Sequence, residues 1–117
     1  MAVQTYRDLL VWQRAMDMVV ELYQLTKRFP KEELYGLTTQ VRRAAVSVPS
    51  NIAEGQGRGV GNEFNHHLRI AQGSLQEVET QVLVAERLQY VDRTQMASVM
   101  EIAAEVGRLN RGLQKSL

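Results

Sequence analysis

The stretch from Phe64 to Ala85 constrains this chain more than any other. Phe64, Leu68, Ala71, Leu75, Val78, Val82 and Ala85 alternate four and three residues apart through three heptads. A period near 3.5 lays one apolar seam along a helix and suits shallow-angle packing against other helices. A strand, with its period of two, would scatter these residues over both faces. The pattern predicts a helix over 63–89, and a helix of about 27 residues is roughly 40 Å long. The rest of the chain must supply partners of similar length.

The same kind of spacing recurs on both sides. Trp12, Ala15, Val19, Leu22, Thr26 and Phe29 form a stripe on a helix expected over 7–28, with Asp8 at its start and Lys27 and Arg28 at its end, as the helix dipole favours. Pro30 ends it. Leu34, Leu37, Val41, Ala44, Ala45, Val48 and Ile52 mark a second helix over 31–54. Pro49 lies inside it and predicts a kink, with Ser47 and Ser50 available to satisfy freed backbone groups, or alternatively a break with Ser50 capping a short new helix. Gly55, Gly57, Gly59 and Gly61 read as a linker that cannot hold a helix, and Asn62 reads as the cap of the third helix. Tyr90 and Val91 make a turn, Asp92 caps, and Met96, Val99, Ala103, Val106, Leu109 and Leu113 stripe a fourth helix over 93–115. No strand pattern is visible. The expected fold is an all-α, antiparallel up-and-down four-helix bundle, a single domain spanning 1–117.

Composition narrows the function. At 44% hydrophobic residues and with no cysteine, the chain can build a core without disulfides or a zinc–thiolate cluster, which permits a reducing cytoplasm. No apolar run approaches about 18 residues, so no membrane span is expected, and the first residues lack the basic-then-apolar order of a signal peptide. Fourteen basic and thirteen acidic residues give a net charge of +1, too balanced to announce nucleic-acid binding by bulk charge. Eleven of the fourteen basic residues are Arg, which fits either fixed carboxylate pairing or a phosphate-contacting patch.

The polar residues of the second helix are placed unusually. Arg43, Ser47, Ser50 and Glu54 run three and four apart beside the apolar stripe, at the border of the core. Half-buried charge needs partners, and the stretch Gly73-Ser74-Leu75-Gln76-Glu77-Val78-Glu79-Thr80-Gln81 is the natural place for them. A structural charge network of Arg43, Glu54, Glu77 and Glu79 is therefore expected, inside the bundle or across subunits, with at most one of Glu77 and Glu79 reaching Arg43.

These stretches also carry a resemblance. Phe29-Pro30, Glu33-Leu34-Tyr35-Gly36-Leu37, Gln40-Val41-Arg42-Arg43-Ala44-Ala45, Asn51-Ile52-Ala53-Glu54-Gly55 and the Gly73–Gln81 segment resemble the four helix bundle protein family, whose first members are encoded by intervening sequences within bacterial 23S ribosomal RNA genes. The match runs from about Tyr6 to the C-terminus. It implies a small bacterial cytoplasmic protein, an antiparallel bundle, assembly into a ring, a homopentamer, and a tie to nucleic acid. The accessory protein of diversity-generating retroelements is a similar pentameric bundle, working beside a reverse transcriptase and RNA.

Leu10, Val11, Met18 and Val20 on the first helix, with Leu83 and Val84 on the third, widen the apolar arcs beyond one seam and are the candidate oligomer interface. Arg14, Arg42, Arg58 and Arg69 are the candidate nucleic-acid contacts, Arg42 being expected to point outward; a ring would repeat such a patch by symmetry. Adjacent His66 and His67 diverge round a helix and give at most two ligands with Glu63, so surface histidines and no metal are expected. The glycine linker has neither nucleotide-loop spacing nor a preceding strand. Arg108, Arg111 and Lys115 read as complement to a helix C-terminus. No nucleophile–base arrangement is visible. The expected function is a non-enzymatic oligomeric binding or scaffold protein, without cofactor, contacting RNA or DNA through arginines. The alternative is a structural adaptor ring that recruits a protein partner.

Overall fold

The computed structural model describes residues 4–59 and 61–117. Four α-helices carry the fold: α1 Leu10–Thr26, α2 Leu37–Gly57, α3 Asn62–Arg87 and α4 Arg93–Lys115. Short 3-10 turns at Tyr6–Asp8 and Lys31–Glu33 precede α1 and α2, and no strand occurs among the described residues.

Each helix packs on its sequence neighbour, and α4 returns to pack on α1, with the most extensive contact between α2 and α3. Contacts run in opposite order along each partner: Arg14 meets Glu105 while Glu21 meets Ser98, and Asn51 meets His67 while Ser47 meets Ser74. The apolar stripes turn inward to one core, in which Met18, Leu22, Ile52, Leu68, Val78 and Val106 are fully buried. Every residue of the α3 seam named from spacing is buried there.

The α1 stripe is rotated from the expected one. Val11, Ala15, Met18, Leu22 and Leu25 are buried, while Trp12 and Val19 sit half-buried at the core's edge. Val11 and Met18 therefore belong to the core of a single chain and are unavailable as an oligomer interface. On a helix apolar over a wide arc, spacing alone does not say which edge turns inward.

Helix boundaries differ for local reasons. A capping box of Thr5 and Asp8 closes the first 3-10 turn, and Leu9 is extended, so α1 begins at Leu10 rather than Arg7 and leaves Lys27 and Arg28 beyond its end. Helix α2 starts later than expected because Glu33 Oε1 accepts from the Leu37 amide at 3.0 Å, capping from four residues upstream. It then runs unbroken through Pro49, so Ser50 starts no new helix. The helix also continues through Gly55 and Gly57, which were expected to end it. At Gly55 an added Cβ would lie 2.6 Å from His67 Cβ and 3.1 Å from Phe64 Cδ1. This glycine is thus a point where α3 packs closely on α2, inside the helix rather than in a linker. The chain turns only after Arg58, where Gly59 (φ 117°) and Gly61 (φ 79°) adopt backbone angles that favour glycine. Gly61, not Asn62, occupies the cap position of α3. At α4 the expected cap is present: Asp92 Oδ1 accepts from the Gln95 amide at 2.8 Å, and Gln95 returns the bond.

Candidate binding surfaces along the α2–α3 seam

The seam between α2 and α3 encloses a run of hydrogen-bonded polar groups that includes the buried His67 and Ser74. At one end His67, buried against Gly55, brings its Nδ1 to 3.1 Å from Asn51 Oδ1. The Asn51 amide donates to the Ser47 carbonyl at 2.9 Å and to Ser47 Oγ at 3.0 Å. Ser47 Oγ in turn lies 2.9 Å from Ser74 Oγ. These groups satisfy one another, as buried polar groups must. His67 is not the surface residue expected from sequence; the close approach at Gly55 encloses it. Among the described residues no three His, Asp or Glu side chains come together to hold a metal ion.

One helical turn on, the seam opens into a groove of about 330 Å³ lined by Thr39, Gln40, Arg43, Ala44, Ser47, Ser74, Glu77 and Gln81. Arg43 and Glu77 face the same groove but make no ion pair within 4.0 Å among the described residues. Gln81 Oε1 is buried without a hydrogen-bond partner. The expected charge network is therefore not formed inside one chain. Glu54 pairs with Arg58 at 3.0 Å, one turn along its own helix. Glu79 is half-buried and does not line this groove, because two residues of helix separate it from Glu77 by about 200°.

The arginines fall into three groups. Arg14 is held by Asp17 at 2.6 Å and Glu105 at 2.9 Å, and these carboxylates push its pKa up. Arg58 is held by Glu54, although both are half-exposed. Arg42 is half-buried and lies along the surface toward α1, where an outward-pointing side chain is expected. Its Nε donates to Thr26 Oγ1 at 2.9 Å and its guanidinium stacks 4.5 Å from the Tyr23 ring centroid. Arg69 and Arg43 are exposed, and neither has an acidic partner within 4.0 Å among the described residues. Of the apolar candidates, Leu10, Val20, Leu83 and Val84 are exposed, Val20 by 60%.

Two further polar contacts leave little trace in the pattern of the sequence. Tyr90 Oη donates to Glu33 Oε2 at 2.7 Å, tying the α3–α4 turn to the α1–α2 connection. Bonds from the Leu37 amide and then from Tyr90 hold the Glu33 carboxyl below its usual range, and Glu33 raises the Tyr90 phenol. Asn110, fully buried in α4, donates to the Leu68 carbonyl and to Gln72 Oε1, each at 2.9 Å. The signal was faint: Asn110 lies four residues past Val106, on the apolar face itself, where an amide is out of place unless bonded.

The described residues thus form a four-helix, all-α fold with a hydrogen-bonded polar seam that opens into a charged groove between α2 and α3. The chain belongs to the 23S rRNA-intervening sequence protein family, whose model matches residues 7–112. It is similar in fold to a crystal structure from Bacteroides thetaiotaomicron, described as a protein of unknown function from the S23 ribosomal protein family. The TM-score is 0.80 at 21% identity, covering 91% of this chain and 99% of that one. No curated protein matches the chain. No described helix is long and apolar enough to cross a membrane.

Proposed function

We propose that this protein is a non-enzymatic, cytoplasmic scaffold that works as a ring of identical antiparallel up-and-down bundles and contacts RNA or DNA through arginine. The observation that carries the reading is the exposure of Leu10, Val20, Leu83 and Val84 on a chain whose core is already filled. Apolar surface of this kind on α1 and α3 favours burial against further copies. A pentamer is the assembly that the family resemblance implies.

Arg69 is the favoured phosphate contact, since it is exposed and free of a carboxylate partner among the described residues. Arg42 stands second, half-buried against the Tyr23 ring and likewise without a carboxylate partner among the described residues. Arg14 and Arg58 contribute less, because nearby carboxylates already neutralise them. Repetition round a ring multiplies the field of each copy. The test is retention on structured RNA at low salt. Binding should fall steeply as salt rises, and R69Q should weaken it and lower the salt slope by about one per contact. Lack of retention at low salt would leave the adaptor reading, in which the ring recruits a protein.

A further inference from the structure

We propose that the open half of the α2–α3 seam is a binding slot for a small zwitterion, a free molecule carrying both a carboxylate and an ammonium group, as α-amino acids do. The seam forms a ladder of facing polar residues. Two rungs, Asn51–His67 and Ser47–Ser74, are closed by hydrogen bonds of 3.1 and 2.9 Å. The next, Arg43 and Glu77, holds two opposite charges on facing helices that do not pair. Beyond it lies Gln81 Oε1, a buried acceptor with no donor.

Each open group asks for a different part of one ligand. The Arg43 guanidinium presents a planar fork that fits a carboxylate. The Glu77 carboxylate accepts from an ammonium group. Gln81 lines the slot, but its Oε1 is closed off from solvent, so the two charged ends of the ligand are met by Arg43 and Glu77. Thr39 and Gln40 line the same space and add hydrogen-bonding capacity. The volume of about 330 Å³ lies within the range of small-molecule sites. The lining also discriminates. Glu77 repels a polyanion, which separates this slot from a nucleic-acid contact. Ala44 is the sole apolar side chain of the lining, so the groups that orient a ligand there are polar. Next to the slot, Arg42 and Arg43 border a second cleft with Tyr23 and Val46 but without an acid, so the α2 wall is the positive one and orients the carboxylate toward it.

The slot is tested by titrating the labelled protein with single proteinogenic amino acids and following the side-chain amide resonances of Gln40 and Gln81 by NMR. Propionate and propylamine serve as single-charge controls. At least one amino acid should shift these resonances saturably with a Kd at or below about 1 mM, and neither control should. R43Q and E77Q, both at exposed positions, should keep their helicity and each weaken binding about tenfold, the loss of one charged hydrogen bond. No saturable shift, an equal response to propionate, or unchanged affinity in both variants would overturn the proposal. So would a smaller particle for R43Q or E77Q, which would place a second copy in the slot. Loss of RNA retention in R43Q with no amino-acid response would assign that arginine to phosphate and overturn it as well.

Discussion

At the level of single residues, Gly55 and Gly112 illustrate how one residue type answers to two constraints. Both are helical. A Cβ at Gly55 would meet His67 and Phe64, whereas one at Gly112 would meet nothing within 4 Å. G55A should destabilise the fold by about 1–3 kcal/mol through overpacking. G112A should stabilise it by about 0.5–1 kcal/mol through helix propensity. Denaturant unfolding of the two variants checks the contrast, and equal effects would mean that α2 and α3 do not close at Gly55. The sequence could not separate these glycines, because alternation from Gly55 to Gly61 signals flexibility on its face. Only the position of α3 shows that the first glycine makes room and that Gly59 and Gly61 make the turn. The histidine was misread for the same reason: what encloses His67 is a neighbour 12 residues away in sequence, Gly55, with nothing between them to announce the approach.

Between elements, the polar contacts set register. Asn51 makes three hydrogen bonds, to Ser47 O, Ser47 Oγ and His67 Nδ1. N51A leaves His67 without this partner and should cost about 1–3 kcal/mol, measured by thermal or denaturant unfolding. The Glu33–Tyr90 bond joins two connections at one end of the bundle, and its pH dependence has a defined sign. The Glu33 carboxyl is depressed by the Leu37 amide and the Tyr90 hydroxyl, so its stabilisation is present above the usual carboxylate pKa and fades as pH falls through the depressed one. The Tyr90 phenol is raised, so its share is complete below the usual phenol pKa and is lost as pH rises through the raised one. The stability gap between wild type and E33Q should therefore shrink in acid, and that between wild type and Y90F should shrink in strong alkali. Gaps constant with pH would contradict the pairing. Apolar periodicity made the helices legible: the α3 seam from Phe64 to Ala85 could be read residue by residue. Their ends were less so, since caps such as Glu33 act through side chains that no period reveals. Inside one chain Arg43 has no acidic partner among the described residues and Glu54 bonds to Arg58, because a helical line of charges does not say whether each member bonds along its helix or across a groove.

For the molecule as a whole, a filled core and uncovered apolar edges make separable predictions. V11E and M18E place a charge inside the core and should abolish cooperative folding. V20E and V84E place it on exposed surface and should leave each bundle folded while disrupting assembly. Far-UV circular dichroism and unfolding curves distinguish the pairs. The measurement that bears most directly on the scaffold reading is the mass of the purified protein in dilute solution, by sedimentation equilibrium, for wild type beside V20E and V84E. Self-assembly predicts a wild-type mass several times that of the 13.3 kDa chain, with five copies expected, and a marked reduction in both variants at unchanged helicity. A wild-type protein that sediments as a single chain, with Val20 and Val84 open to water, would contradict it.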